Sequence, residues 1–365
     1  MTPRVDRYGS LTYRSSGFAS SLKTQRISVS HTFSFGNSDK ISEMISSIPQ
    51  LTHEQHFVFG YNREGRFHPF AKRATAEDRW TVQYGRAQRF PMSFRQECLE
   101  TARLIQRQTR EPITVLFSGG IDSEVALRSF YEAGIPVTAA ILKFKNELNA
   151  HDTSWAQVTC DELKIPTKIL ELDLLSFWKS EDALRYADET QCISPQFLTT
   201  MWMLDRCDGY CVLGSGENFL TFRTPTSRTI GWSLVEKEKV ATWYRYFIAK
   251  NRAGCPGFFQ YTPELMLSWM LDPAAVAFWR KHAGLIRDSI PMKFPIYRQH
   301  FSLRPRPKFT GFEKVATEDL ELRRKLEARF ADSVGTFETT AEDLVLSLSP
   351  DPRVFPAPRF WETSF

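Results

Sequence analysis

The sequence predicts an α/β fold: a parallel sheet flanked by helices, preceded by a short N-terminal β-containing segment and followed by a helical portion. Three observations carry this. Between Ile113 and Gly214, strand-length apolar runs alternate with helical segments, the pattern of βαβ units. Two of those runs end in glycine-rich turns, Ser118-Gly119-Gly120-Ile121-Asp122-Ser123 and Gly214-Ser215-Gly216-Glu217-Asn218. From Val235 onward the pattern changes to aromatic-rich helical segments.

Taken in order, residues 1 to about 50 are rich in Ser, Thr and Arg and lack periodicity, a loose lead-in. His56 to Phe70 alternates around Asn62-Arg63-Glu64-Gly65 and reads as a β-hairpin. Ser93 and Gln96 form a capping-box pattern, and Phe94, Cys98, Ala102 and Ile105 share one helical face. Through Pro112 this helix leads to the strand ITVLF, the first glycine loop, and a helix ending at Gly134. The strand PVTAAILKF follows, then a helix with Asp152 expected as its N-cap, then the strand TKILELD. A helical region SFWKSEDALRYA, a helix with Pro195 at its first position, and the strand GYCVLG complete the alternation. ATWYRYFIAK, TPELMLSWMLD and AVAFWRKHAG read as helices whose aromatic residues are core. After them come the basic loop IYRQHFSLRPRPKFTGFE, the charged helix EDLELRRKLEARF, and a proline-containing tail. The expected divisions are 1–92, 93–234, 235–330 and 331–365.

Composition narrows the function classes. Of 365 residues, 42% are hydrophobic and 24% charged, ordinary for a globular protein. The net charge of +5 fits an enzyme with an anionic substrate and is weak support for nucleic-acid binding. No apolar run reaches the length of a membrane span, and the N-terminus lacks the apolar core of a signal peptide. Six cysteines are too sparse for a disulfide scaffold, so the expected compartment is the reducing cytoplasm. Cys207 and Cys211 are the one close pair, at C-x-x-x-C spacing, and read as core residues rather than sulfur-transfer groups. His53 and His56 are close together but have no nearby cysteine, and no metal is assigned there.

The first loop is built for an anion. Gly119 and Gly120 let main chain approach a ligand, and successive N–H groups with a helix N-terminus form a phosphate cradle. Ser118 and Ser123 add hydroxyls. Asp122 would repel phosphate unless a divalent cation stood between them, so the loop predicts phosphate with Mg²⁺. The spacing G-x-x-x-x-G-K-[ST] is absent, which excludes the kinase-type loop.

SGGIDS resembles the pyrophosphate-binding loop of the ATP pyrophosphatase (PP-loop) superfamily, which splits ATP between the α and β phosphates. The resemblance implies an adenine nucleotide alpha hydrolase-like fold, with ATP and Mg²⁺ as cofactors. SFRQECLETARLI, NELNAHDTSWA and VLGSGENFL are similar to segments of the asparagine synthetase type. In that type a Ser-Gly-x-Gly-x-Asp-Glu turn supplies acids for magnesium; here Glu217 is the acid present, followed by Asn218. The family's Arg-x-Lys-x-x-Phe pattern matches best at Arg306-Pro307-Lys308-Phe309-Thr310-Gly311-Phe312, making Lys308 the candidate catalytic lysine, with Lys293 and Arg298 as helpers. Fixed cations there would stabilise the charge that develops on pyrophosphate.

What the resemblance implies is an amidating ligase. Ser118, Gly119, Gly120, Ile121 and Ser123 would hold phosphates, together with Gly214 and Gly216. Asp122 and Glu217 would bind Mg²⁺, and backbone near Ile141 and Lys143 would meet the adenine. The partners implied are a small-molecule acid and an amine or ammonia. Thr2 stands where the family's glutaminase domain needs a cysteine, and the N-terminal segment is too short for that domain. Nitrogen is therefore expected from ammonia, an amine or a partner subunit. Two alternatives stand beside this reading: modification of a nucleobase or tRNA, suggested by the basic loop, and a nucleotide-binding module without catalysis, suggested by the single acid in the second turn.

Overall fold

The computed structural model describes residues 56–218, 220–223, 231–281, 290–307, 309–330 and 335–351, all within one compact unit. The expected lead-in, Lys308 and the last fourteen residues lie outside the described residues.

The elements in chain order are β1 (Phe57–Arg63), β2 (Arg66–Pro69), β3 (Arg79–Tyr84), α1 (Phe94–Gln108), β4 (Ile113–Leu116), α2 (Ile121–Glu132), β5 (Val137–Phe144) and α3 (Ala150–Leu163). Then come β6 (Thr167–Leu172), α4 (Leu174–Trp178), α5 (Glu181–Thr190), α6 (Pro195–Leu204), β7 (Tyr210–Leu213), β8 (Leu220–Arg223), β9 (Gly231–Lys237) and α7 (Ala241–Ala249). The remainder is β10 (Gly254–Cys255), α8 (Pro263–Met270), α9 (Pro273–Lys281), α10 (Ile290–His300), α11 (Ala316–Phe330), β11 (Thr336–Thr340) and α12 (Ala341–Leu348).

The predicted parallel sheet is present, with strand order β10-β7-β4-β5-β6. Its two faces are both covered, which is why β4 and β7 are buried along their whole length. Alternate residues feed two separate cores. Ile113, Val115, Val137, Ala139, Ile141 and Val212 pack with α1, α2 and α8. Leu116, Ala140, Phe144, Cys211 and Leu213 face the opposite core, shared with α5, α6, α7 and the β1–β3 sheet.

α1 starts on the capping box foreseen at Ser93 and Gln96. Its Phe94, Cys98, Ala102 and Ile105 are all buried. Burying a side chain such as Phe94 contributes about 2–3 kcal/mol. All six cysteines are buried and none forms a disulfide.

Two antiparallel sheets flank this core. One is β2-β1-β3, the expected hairpin plus a third strand. The other is β11-β9-β8. β11 and α12 fall in the segment expected to be a tail: Thr336–Thr340 pairs with β9, and Leu344, Val345 and Leu348 are buried. The N-cap of α3 is Asn149, not Asp152, which sits in the first turn. The Asn149 amide is used instead on β5: its Nδ2 donates to Leu142 O and its Oδ1 accepts from Phe144 N, both at 2.8 Å.

Candidate active site

Both glycine-rich turns lie at the carboxyl ends of the parallel strands, where open α/β sheets place ligands. After β4, Phe117 N–H bonds Ala140 O and the chain leaves the sheet. Gly119 has φ +84, and a Cβ there would lie 2.1 Å from Asp152 O, so the position admits only glycine. Ser118 Oγ accepts from Gly120 N–H at 3.2 Å and lies 3.1 Å from Ser123 Oγ. Ser123 Oγ also lies 3.0 Å from Gly120 O. α2 opens on Gly120 with no side-chain cap, leaving a helix N-terminus suited to an anion.

The second turn abuts the first. A Cβ on Gly214 would lie 2.6 Å from Ser123 Cα. Gly216 has φ +86, and a Cβ there would meet the Gln260 side chain at 2.8 Å. Gly214 thus lets the turn after β7 lie against the first turn of α2, and Gly216 lets it lie against Gln260.

A cavity of about 390 Å³ opens beside the first loop. Ser118 to Ser123 and Gly214 form one end. Leu142, Phe144, Phe197, Trp243 and Phe312 form an apolar and aromatic wall. Phe197 and Trp243 pack with ring centroids 4.2 Å apart. Such a volume, apolar with a few converging polar groups, is that of a small-molecule site.

Lys293 joins the two expected metal ligands. Its Nζ lies 3.2 and 3.1 Å from Asp122 Oδ1 and Oδ2, and it also donates to Glu217 Oε1. The lysine side chain is 4% exposed. Tyr297, one turn later on α10, donates to Asp122 Oδ1 at 2.8 Å. Burial alone would lower the Lys293 pKa, but the two carboxylates outweigh it and hold the ammonium above the usual lysine range. Burial raises Glu217, and the charge of Asp122 adds to it, with Lys293 opposing. Tyr297 is held well above the usual tyrosine range, first by burial and then by Asp122 and Glu217.

The expectation of Mg²⁺ between Asp122 and Glu217 meets this arrangement directly. The acids do converge, but an ammonium stands between them. Among the described residues no cluster of three His, Cys, Asp or Glu side chains exists to hold a metal ion. As the chain stands, the donor set does not fit a divalent ion between these carboxylates.

Arg306 forms the cavity's cationic wall. Its Nη1 pairs with Glu124 Oε2 at 2.5 Å, and Arg128 Nε pairs with the other Glu124 oxygen at 2.7 Å. Arg306 and Glu124 side chains are 4% and 1% exposed. Arg306 Nη2 is buried without a hydrogen-bond partner.

Beneath the second turn lies a buried polar chain. The His56 Nε2–H bonds Gln260 O at 2.7 Å, and Gln260 Nε2 donates to Glu236 Oε1 at 2.7 Å. Burial lowers His56 to about 4, against a raising bond from Gln260. Burial raises Glu236 to about 7, with Glu217 adding to the effect.

The remaining candidates divide. Arg298 is exposed and, like Lys293, Glu217 and Gly216, does not line the cavity; it lies a further 100° around α10 from Tyr297 and so points away from the Asp122 carboxylate. Ile141 and Lys143 do not line it either. Ala139 N–H bonds Pro166 O on the β6 side, and main-chain direction alternates along a strand, so Ile141 and Lys143 also turn toward β6. Leu142 and Phe144 are the residues that reach the cavity, one position out of register with the expectation. Tyr297 is a further site residue, and its i,i+4 spacing from Lys293 is the sequence signal for it. Arg306, within the motif around Lys308, is another.

No protein-family model matches the chain, and no curated protein matches it. Among solved structures, an NH3-dependent NAD synthetase from Campylobacter jejuni aligns at 15% identity and a TM-score of 0.31, covering 66% of this chain and 93% of that one. An NMN synthetase from Francisella tularensis aligns at 15% identity and a TM-score of 0.27, covering 65% of this chain and 92% of that one.

Proposed function

We propose that this chain is an ATP-dependent adenylating ligase of the PP-loop type. It would activate a small-molecule acid on ATP and transfer it to an amine or ammonia. The observation that carries this is the cradle at the tip of β4: a glycine loop with φ +84 at Gly119, two hydroxyls, an uncapped helix N-terminus, and a flanking cavity.

An oxygen of the acid attacks the α phosphorus of ATP. The bond from that phosphorus to the bridging β oxygen breaks, and pyrophosphate departs with the negative charge. Ser118, Gly119, Gly120, Ile121 and Ser123, with Gly214 closing the second side, hold the β and γ phosphates through main-chain N–H groups and hydroxyls. Lys308 supplies a positive charge to the departing pyrophosphate. Arg306, two residues earlier, lies on the cavity wall, which favours that placement. Lys293 fixes Asp122 and Glu217 at the edge of the same loop. The nitrogen nucleophile then attacks the carbonyl carbon of the acyl-adenylate, AMP leaves, and the nitrogen gives up a proton. The aromatic wall from Phe144 to Trp243 accommodates the base and excludes water. Magnesium, where present, would come on the ATP phosphates and neutralise their charge. The asparagine-synthetase-like specificity belongs to this proposal and rests on the sequence segments alone.

The test is exchange of radiolabelled pyrophosphate into ATP across a panel of acids. Acid-dependent label in ATP supports adenylation. Release of ADP and orthophosphate refutes it, and ATP binding without exchange favours a non-catalytic module. Modification of RNA has weaker support: Arg304 pairs with Glu162 and Arg306 with Glu124, which commits two cations of the basic loop to partners within the chain. Among the described residues no helix is long and apolar enough to cross a membrane.

A further inference from the structure

We infer that Lys293 is the resident cation of the Asp122–Glu217 pair, held where a divalent ion would otherwise sit, so that the nucleotide-free protein takes no such ion between these acids. Three features support this. The ammonium touches both Asp122 oxygens, at 3.2 and 3.1 Å, and one oxygen of Glu217. Its side chain is 4% exposed, so it is a built part of the site and not a surface lysine that has folded over. Tyr297, from the next turn of the same helix, takes a further position on Asp122 at 2.8 Å.

A hydrated divalent ion can be held by as few as two carboxylates, so what decides this site is whether their oxygens are free. Here two carboxylates are present, both oxygens of Asp122 and one of Glu217 already engaged by the ammonium, and the described residues add no third acid, His or Cys. An ion would have to expel a buried lysine, and Glu124, the buried acid two residues on from Asp122, is already paired with Arg306 and Arg128. The lysine is also tethered, so no concentration term favours a dissolved rival. A divalent ion then reaches the cavity only on the phosphates of a nucleotide, while the acids keep their ammonium. Without Lys293 the same two carboxylates carry two uncompensated negative charges around one point and become a metal site.

The test uses the full-length, nucleotide-free protein and Mn²⁺, with the free-ion signal followed by electron paramagnetic resonance. The wild type is expected to show no site that Asp122→Asn removes. Lys293→Met and Lys293→Gln, each confirmed as folded by a cooperative melt, are expected to gain one Mn²⁺ site at least about tenfold tighter than any on the wild type. Adding Asp122→Asn to either variant should abolish the gain. A wild-type Mn²⁺ site lost in Asp122→Asn overturns the inference without any variant at Lys293. So does a folded Lys293 variant that gains nothing. Neither measurement needs a substrate, so this can fail while the adenylation reading stands, and pyrophosphate exchange can fail while this holds.

Discussion

The Tyr297 hydroxyl donates a 2.8 Å hydrogen bond to Asp122 Oδ1, across 175 residues of chain. The Tyr297 ring is fully buried and stacks on Phe94 and Phe259 at centroid distances of 5.8 and 6.0 Å. Replacing Tyr297 by Phe keeps that stacking and removes one bond to a carboxylate. A hydrogen bond to a charged group is worth about 1.5–3 kcal/mol. Tyr297→Phe is therefore expected to leave the melting temperature within a few degrees and to lower pyrophosphate exchange about tenfold or more. Unchanged exchange would show that Lys293 alone fixes Asp122.

The two loop glycines make opposite predictions. Alanine at Gly119 meets the Asp152 carbonyl at 2.1 Å with φ +84, so the loop must move. Gly119→Ala should lose ATP binding in calorimetry and cost about 2 kcal/mol or more in urea unfolding. Alanine at Gly120 meets the Ser118 hydroxyl at 3.2 Å and the Ser123 hydroxyl at 3.9 Å, and its φ of −73 is ordinary. Gly120→Ala should retain the fold and lose affinity modestly. Equal behaviour of the two variants would contradict the geometry.

Arg306 and Glu124 form a buried pair within a three-residue charge cluster. Removing one partner of such a pair costs about 3 kcal/mol, because the other is left buried and less compensated. Arg306→Met should lower the urea midpoint accordingly. Arg306→Met with Glu124→Gln should lose less than the two single changes added together, and strict additivity would exclude direct coupling.

His56 and Glu236 both bond Gln260, and their pH effects oppose. The folded His56 titrates near 4 against an ordinary 6.5. Between those values the unfolded chain binds the extra proton, so stability rises with pH by up to about 1.4 kcal/mol per unit. The folded Glu236 titrates near 7 against an ordinary 4.5. Between those values the folded chain binds the extra proton, so stability falls as pH rises. The wild type should be nearly flat where the windows overlap. His56→Gln should expose the falling slope of Glu236, and Glu236→Gln the rising slope of His56, both read from urea midpoints across pH 4 to 7.5. Parallel profiles for the three proteins would rule out this pairing.

The elements that were legible in the sequence are those with local causes. The capping box at Ser93 and Gln96, the apolar stripe of α1 and the glycine pair after β4 each sit within a few residues. The elements that were not legible depend on distant partners. β9 buries three residues in a row, Trp232 to Leu234, and so shows no alternation there. β11, with sequence TFETT, has no apolar pattern and becomes a strand because β9 offers it an edge. Asp152 looked like the cap of α3 because Asn and Asp serve equally there, and only the β5 tip shows that Asn149 has a second task. Asp122 and Glu217 could be picked from the sequence as acids of one site. That a lysine lies between them depends on α10 folding back across the sheet.

The order of strands in the central sheet also dictates how the protein must come together. β4 is flanked by β5, made next, and by β7, whose neighbourhood is anchored by Thr114 reaching Asp208 O, 94 residues further on. During synthesis one hydrogen-bonding edge of β4, apolar on both faces, stays open until that later segment has emerged. Closing such long loops is slow, and an open apolar strand edge is sticky. The phosphate cradle, at the end of β4 against Gly214, therefore takes shape only after the sheet has closed around it, and yield in a cell will depend on what shields β4 in the interval.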